Sequence, residues 1–375
     1  MSLILDGTNG TTFNDGSNQP AAASPYVLKN KIINGDCRID QRNAGASTTP
    51  TGSGSGTYTL DRWCYQAAQT GKATVQQNAG AVTPPTGFTN YAGITSTSAY
   101  SVLTGDYFHL YQAIEGFNIA DLAWGTANAQ TITISFWVRS SLTGTFGGAL
   151  RNSGTTRSYP FTYTISVANT WEQKTITIAG DTSGTWLTTN GVGIYVGFNL
   201  GSGATYSGTA NAWGAGNYTS ATGATSVVGT NGATFYITGV QLEIGSTATP
   251  FERRQFGQEL ALCQRYYFKL LNTGSGNLYV SSICGAYNTT RAFGSFTLPV
   301  SMRSLPTAGY SGARVGSPNL STVDQAVTAF FNQLDAATNQ NQLFYEVNVA
   351  SGLTANTFYF IKLPVSGYLD ASAEL

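Results

Sequence analysis

The side chains best suited to chemistry here are aromatic and polar groups that recur at every second position. In GDYFHLYQAIEG (105–116), Phe108 and Leu110 read as inward residues, which leaves Tyr107, His109 and Tyr111 on the opposite face. The same rule leaves Trp137 and Arg139 on TITISFWVRS (131–140), Tyr195 and Asn199 on 192–201, and Tyr236 on 234–245. Flat rings stack on the C–H faces of sugars, and amide and guanidinium groups bridge sugar hydroxyls. These residues therefore form a candidate carbohydrate-binding face. An equally open reading has the same face covered by a neighbouring domain or a second subunit, because aromatics also gather at interfaces. Trp124, Trp186, Trp213 and Tyr218 lie in Gly/Asn-rich linkers. They read as lips of a pocket or as plugs closing the ends of a sandwich, with plugs favoured.

Covalent catalysis finds little support. His109 is the only histidine, so any Ser-His or Cys-His scheme would have to use it, and its mid-strand place suits a satisfied polar group better. No G-x-S-x-G and no phosphate-binding loop occurs. Asp61, Asp106, Glu115, Asp121, Glu172, Asp181, Glu243 and Glu252 are scattered, with no enrichment marking the paired carboxylates of a glycosidase. No enzymatic activity is expected. Cys37, Cys64, Cys263 and Cys284 form no C-x-x-C pair and read as free thiols, although Cys37 and Cys64 could approach each other. With one histidine no zinc set is available.

What must position these residues is a set of short strands. Candidates are 58–66, 73–77, 105–116, 131–140, 159–167, 171–180, 192–201 and 234–245, separated by turn-rich polar linkers. Many short strands at this spacing predict an antiparallel sandwich or jelly roll over 32–252, where all 6 Trp fall. Residues 269–375 read as a second, distal β-domain, with strands in NLYVSSICGAY, RAFGSFTLPV, NQLFYEVNVA and TFYFIKLPVSGYLDA and its terminus at an exposed end. VDQAVTAFFNQL (323–334) reads as a short helix or a loop with one helical turn. Between the domains, 253–268 carries the helical signal. Phe256, Leu260, Cys263 and Tyr267 are spaced four, three and four apart. Such a seam is either a helix lying on a neighbouring domain or a small coiled junction on a trimer axis. Residues 1–31 hold Leu3, Ile4, Leu5 and Phe13 among turn signals, too little for a core. This is a tail or an arm that becomes ordered on a partner.

Composition sets the bounds. Only 10% of the 375 residues are charged, against roughly 25% in an ordinary globular protein, while Gly (44) and Tyr (21) abound. The net charge is zero and no basic cluster exceeds Arg253-Arg254, so no nucleic acid is expected as a partner. No run approaches the roughly 20 apolar residues of a membrane span, and MSLILDGTNG lacks the features of a signal peptide. Neither membrane insertion nor secretory export is expected.

As a set, IINGDCRIDQRNAG, YTLDRWCYQ, ISFWVRS, NTWEQKTITIAGDTSGTW and FYITGVQLEIGSTATPFE resemble the carbohydrate-binding-module-like β-sandwich common in bacteriophage tail-fibre and related virion proteins. The opening Asn-Gly-Asp strand and the closing strand with Gln241-Leu242-Glu243 are its hallmarks. ILDGTNGTTFNDGSNQPAAAS is similar to the openings of phage fibre proteins, and ELALCQRYY with FTLPVSMRSLPT and YLDASAEL resembles their distal heads. The resemblance implies an all-β chain: a carbohydrate-binding-module-like β-sandwich (jelly roll), a distal β-sandwich domain and a short helix joining them. It also implies a homotrimeric virion appendage, made in the host cytoplasm. That appendage docks on other virion proteins through the arm and binds a host-surface glycan or receptor. The alternatives are a head-attached fibre or capsid decoration protein, a glycan-cleaving tailspike, and a spacer whose aromatic face is buried between subunits. Such modules often hold a structural calcium. Asp36 is present, but Thr238-Gly239 stand where an Asp is common, so no metal and no other cofactor is assigned.

Overall fold

The computed structural model describes residues 28–51, 54, 56–317, 323–332 and 340–375, together with the backbone of three short strands, Ile4–Asp6, Gly10–Thr12 and Asn18–Gln19. Leu3 and Phe13 lie outside the described residues, and Ile4 and Leu5 fall in the first of those strands.

Alternation builds the sandwich. Ile132, Ile134, Phe136 and Val138 are all fully buried, while Trp137 and Arg139 between them are only half-buried. The strand carrying them, Ile132–Ser140, lies in a five-stranded sheet ordered Glu172–Ile178, Ile132–Ser140, Thr234–Ile244, Ala92–Ser96, Ala73–Gln77. The facing sheet has seven strands. Its order is Gly214–Ala215, Arg157–Ile165, Gly144–Asn152, Val192–Ser202, Tyr107–Glu115, Trp63–Ala67, Thr57–Leu60. Phe136 of one sheet meets Phe198 of the other edge-on at 5.0 Å, and Phe108, Leu110, Phe146, Phe161 and Val196 fill the space around them.

Several expectations change. The segment 58–66 is two strands, not one. They are joined by a tight turn in which Arg62 has a positive φ of 70°. Ala92–Ser96 and Gly144–Asn152 are strands that alternation missed; the second is masked by glycines, which give no hydrophobic signal. The Asn34-Gly35-Asp36 stretch is irregular rather than a strand. A Cβ on Gly35 would stand 2.1 Å from the Val240 carbonyl oxygen, so close backbone approach, and not strand pairing, explains this glycine.

The helix spans Phe256–Gln264 and lies against the sandwich. Its Cys263 packs on Ile33, Ile39 and Tyr266, with Leu260 beside them. Buried Glu259 accepts a hydrogen bond from the Asn34 N–H and sits 3.4 Å from the Arg254 guanidinium. Tyr267 is not on this helix. It opens the strand Tyr267–Leu271, and its hydroxyl donates to Asp370 at 2.9 Å. Phe256 points outward and is 56% exposed. The heptad spacing therefore continues past the point where the helix stops.

The distal unit is β, but it closes on itself instead of forming a second sandwich. Its barrel order is Leu278–Ala286, Arg291–Thr297, Gln342–Val349, Asp324–Asn332, Arg314–Gly316, Phe358–Leu363. The stretch read as a helix is the strand Asp324–Asn332. A register shift between Val327 and Ala329 places Val327 and Phe330 both inward, three residues apart, and that imitates a helical period. The C-terminus is not at an exposed end. Glu374 forms ion pairs with Arg42 (2.6 Å) and Arg62, and the Tyr58 hydroxyl donates to the Leu375 carbonyl at 2.8 Å. Arg265 clasps Glu115 through two hydrogen bonds of 3.0 and 2.6 Å, further joining distal unit and sandwich.

Candidate functional site

The candidate residues separate onto opposite sides of the molecule. Tyr107, His109, Tyr111, Tyr195 and Asn199 belong to the seven-stranded sheet, whereas Trp137, Arg139 and Tyr236 belong to the five-stranded one. They are not one face.

On the seven-stranded side the register makes a hollow. One row across the sheet runs Gln66, His109, Asn199. The next runs Tyr111, Gly197, Ala149. The third runs Ala113, Tyr195, Arg151. Gly197 and Ala149 project almost nothing, so the middle row is low beside Tyr111. The result is a pocket of about 160 Å³ among Tyr107, His109, Tyr111, Arg151, Tyr195 and Tyr206. Gln66, Thr155, Asn217 and Thr219 complete its rim. It is smaller than the roughly 300–1,000 Å³ of pockets that enclose drug-sized ligands, and so suits a single small unit.

The rings form a chain, edge-to-face except between Tyr107 and His109, which lie tilted at 5.8 Å. Tyr206 meets Tyr107 at 4.7 Å, His109 meets Tyr111 at 5.2 Å, and Tyr111 meets Tyr195 at 5.5 Å. The Arg151 guanidinium lies 5.2 Å from the Tyr195 ring centre. His109 is 1% exposed, and burial together with Arg151 holds its pKa well below 6.5, so the imidazole is neutral. Its Nε2 stands 3.0 Å from the Gln66 amide oxygen. An amide oxygen only accepts, so Nε2 carries the proton and Nδ1 is an acceptor. Among the described residues Nδ1 has no hydrogen-bond partner, and neither does the buried Nδ2 of Asn199. Burial also raises the pKa of Tyr107, Tyr111 and Tyr195, which keeps their hydroxyls protonated as donors.

No lining residue of this pocket is acidic. Carboxylates elsewhere in the sandwich have structural engagements. Asp181 holds Arg157, Asp121 holds Lys31, and Asp106 accepts from the Tyr100 hydroxyl and the Leu103 N–H. The facing carboxylate pair of a glycosidase is not present in the pocket. Arg151 and Tyr206 escaped the sequence reading. Arg151 lies on the glycine-rich strand Gly144–Asn152, and only Phe146 and Leu150 hinted at its alternation. Tyr206 comes from a 3-10 turn, where alternation does not apply.

The outer face of the five-stranded sheet is occupied by the chain itself. Tyr236, 4% exposed, packs with Ala79, Tyr91, Val82 and Trp171. The Tyr91 hydroxyl accepts from the Val82 N–H at 2.9 Å, and Trp171 donates to the Thr83 carbonyl at 2.9 Å, which pins the 78–91 loop in place. Arg139 lies over Tyr236 at 5.5 Å and donates to the Asn169 carbonyl. Trp137 and Phe88 flank Gly239, whose φ of +62° forms a bulge in the closing strand. Trp124, Trp186 and Trp213 meet edge-to-face at 4.8 to 5.5 Å and join the core as plugs. Tyr218 is embraced by Gly208, Gly214 and Gly216.

A larger hollow, about 400 Å³, lies beside the helix. Its Lys31 is paired with Asp121 and its Arg254 with Glu259, so its charges are balanced. All four cysteines are free and buried. The calcium position does not fit a cation. Asp36 is 3.3 Å from the Arg38 guanidinium, and the Thr238 hydroxyl donates to the Asn90 carbonyl at 2.7 Å. Among the described residues no cluster of three or more His, Cys, Asp or Glu could hold a metal.

No family model and no curated protein matches the sequence. Among solved structures, the chain is similar to the enzymatically active domain of tailspike protein 4 of bacteriophage CBA120, at 11% identity and a TM-score of 0.31. That match covers 58% of this chain and 22% of the tailspike domain, so the chain spans about a fifth of that structure's length. A family 11 carbohydrate-binding module from Clostridium thermocellum, in complex with a β-1,3-1,4-mixed-linked tetrasaccharide, matches at 14% identity and a TM-score of 0.26. That alignment takes in 52% of this chain and 100% of the module. Modules of the xylanase 10B of the same organism, complexed with xylohexaose, match at 16% identity and a TM-score of 0.27, over 52% of this chain and 28% of theirs.

Proposed function

We propose that this chain is a saccharide-binding appendage protein of a bacteriophage virion. Its tyrosine-lined pocket on the seven-stranded sheet makes the contact. The single observation supporting this is the pocket's chemistry. Ring faces and protonated phenols of Tyr107, Tyr111 and Tyr195 line it beside the His109 imidazole, the Gln66 and Asn217 amides and the Arg151 guanidinium. Sugars need that mixture of C–H stacking and hydroxyl bonding. The appendage role rests on the resemblance of the quoted segments to phage fibre proteins. Binding at one small pocket is weak, and homotrimeric, many-copy display would make it useful. No covalent step belongs to this reading.

The test is binding of the full chain to a glycan array, with the oligomeric state measured on the same sample by light scattering. Saccharide binding that weakens roughly tenfold in Tyr195→Ala is the expected result. An absence of binding to any saccharide by a folded trimer overturns the reading in favour of a head-decorating or spacer protein.

A further inference from the structure

We infer that the unit entering the tyrosine pocket is an acidic saccharide, whose carboxylate, sulfate or phosphate group seats on Arg151. This rests on the saccharide-binding reading above.

Arg151 carries an unbalanced charge among the described residues. Arg151 is only 6% exposed. Among the described residues its one hydrogen bond runs from Nη1 to the Asn217 amide oxygen at 2.7 Å, and no carboxylate lies within ion-pair distance. The other deeply buried guanidinium groups of the sandwich end have counter-ions: Arg62 has Glu374, and Arg254 has Glu259. A buried cation without an anion is costly to the fold, and the Tyr195 ring offsets only part of that. Burial accordingly depresses the Arg151 pKa from its usual value.

A guanidinium fork matches a planar carboxylate or a tetrahedral anion through paired N–H donors. Because the pocket has no acidic lining residue, no internal carboxylate competes for this fork. The opposite wall supplies the second half of the recognition. The phenols of Tyr107 and Tyr111 line that side of the pocket, protonated and able to bond sugar hydroxyls. A sugar ring held among Tyr107, Tyr111 and Tyr195 would offer its anionic group to Arg151 and its hydroxyls to the phenols.

The experiment measures affinity of the full chain for uronate-containing oligosaccharides, their carboxyl-reduced counterparts, and sulfated or phosphorylated neutral saccharides. At least tenfold tighter binding of an acidic glycan than of its uncharged counterpart is expected. That preference should vanish in Arg151→Gln and survive in part in Arg151→Lys. Arg151→Gln should melt at or above the parent temperature, since it removes an uncompensated charge. Should that variant fail to fold, the parent protein still decides. Its affinity for the acidic glycan falls as salt rises while its affinity for neutral sugars does not. Preference for sulfated or phosphorylated sugars alone would support the inference and identify the anion. Equal affinity for charged and uncharged partners overturns it and leaves the saccharide-binding reading standing. No saccharide binding at all removes both.

Discussion

Both sheets of the sandwich carry tyrosines and an arginine on their outer faces, and local sequence does not distinguish them. Tyr236 with Arg139 and Tyr195 with Arg151 are similar cation–aromatic pairs, at 5.5 and 5.2 Å. Their surroundings differ. On the five-stranded side the 78–91 loop folds over the pair, and the aromatic surface is used up in holding that loop. On the seven-stranded side the tyrosines line an open pocket with Arg151, and Nδ1 of His109 lacks a hydrogen-bond partner among the described residues. The lesson is that an aromatic on a polar face is a binding candidate only when nothing in its own chain covers it.

The largest expected effect tests the covered side. Tyr236→Ala should destabilise the fold by about 3 kcal/mol, as removal of a buried aromatic does, and leave saccharide affinity of the folded protein unchanged. Denaturant melts and binding measured on one sample check both halves. Loss of binding with little loss of stability would reverse the assignment of the two faces. Next comes Tyr195→Ala, which should weaken saccharide binding roughly tenfold, about 1.4 kcal/mol, and shift the melting temperature little because Tyr195 is half-buried. Trp137→Ala should cost about 1 kcal/mol of stability or less, since Trp137 is only half-buried. It should not alter glycan binding, and a binding defect there would restore Trp137 as a platform residue.

The smallest effects concern pH and act in opposite directions. The folded chain refuses a proton at His109 that the unfolded chain accepts below about 6.5, so this residue lowers stability as pH falls through that value. Asp61 is lifted from 3.8 to about 7, chiefly by burial. The folded chain keeps its proton while the unfolded chain loses it, so the contribution of Asp61 declines as pH rises from about 4 to about 7. Relative to the parent, His109→Gln should therefore gain stability from pH 7 to 5, and Asp61→Asn should lose it over the same interval. Each slope is bounded by about 1.4 kcal/mol per pH unit, and chemical denaturation across that range reads them. Saccharide binding should show no histidine-type inflection between pH 6 and 8, because His109 stays neutral there.

Much of the architecture was legible in the residues. The strands around Phe108, Phe136, Phe198 and Phe235 announced themselves by alternation, and each is a core strand. Less legible were elements whose pattern is interrupted. Glycines hid Gly144–Asn152, and with it Arg151. A bulge gave Asp324–Asn332 a false helical spacing. A heptad seam ran past the helix end because Tyr267 starts a strand paired with Tyr368–Ser372. Of the candidate residues, Tyr107, His109, Tyr111 and Tyr195 line one pocket.

The sequence by itself determined the all-β class and the inward face of the strands around Phe108, Phe136, Phe198 and Phe235, because these follow from side-chain period and residue type. Only the tertiary structure decided which strands share a sheet. It also closed the distal strands into a barrel and returned Glu374 to Arg62, and it left Arg151 without a counter-ion among the described residues. Alternation fixes a side chain relative to its own strand. Pairing between segments a hundred residues apart sets what stands beside it, and nothing in the local pattern carries that information.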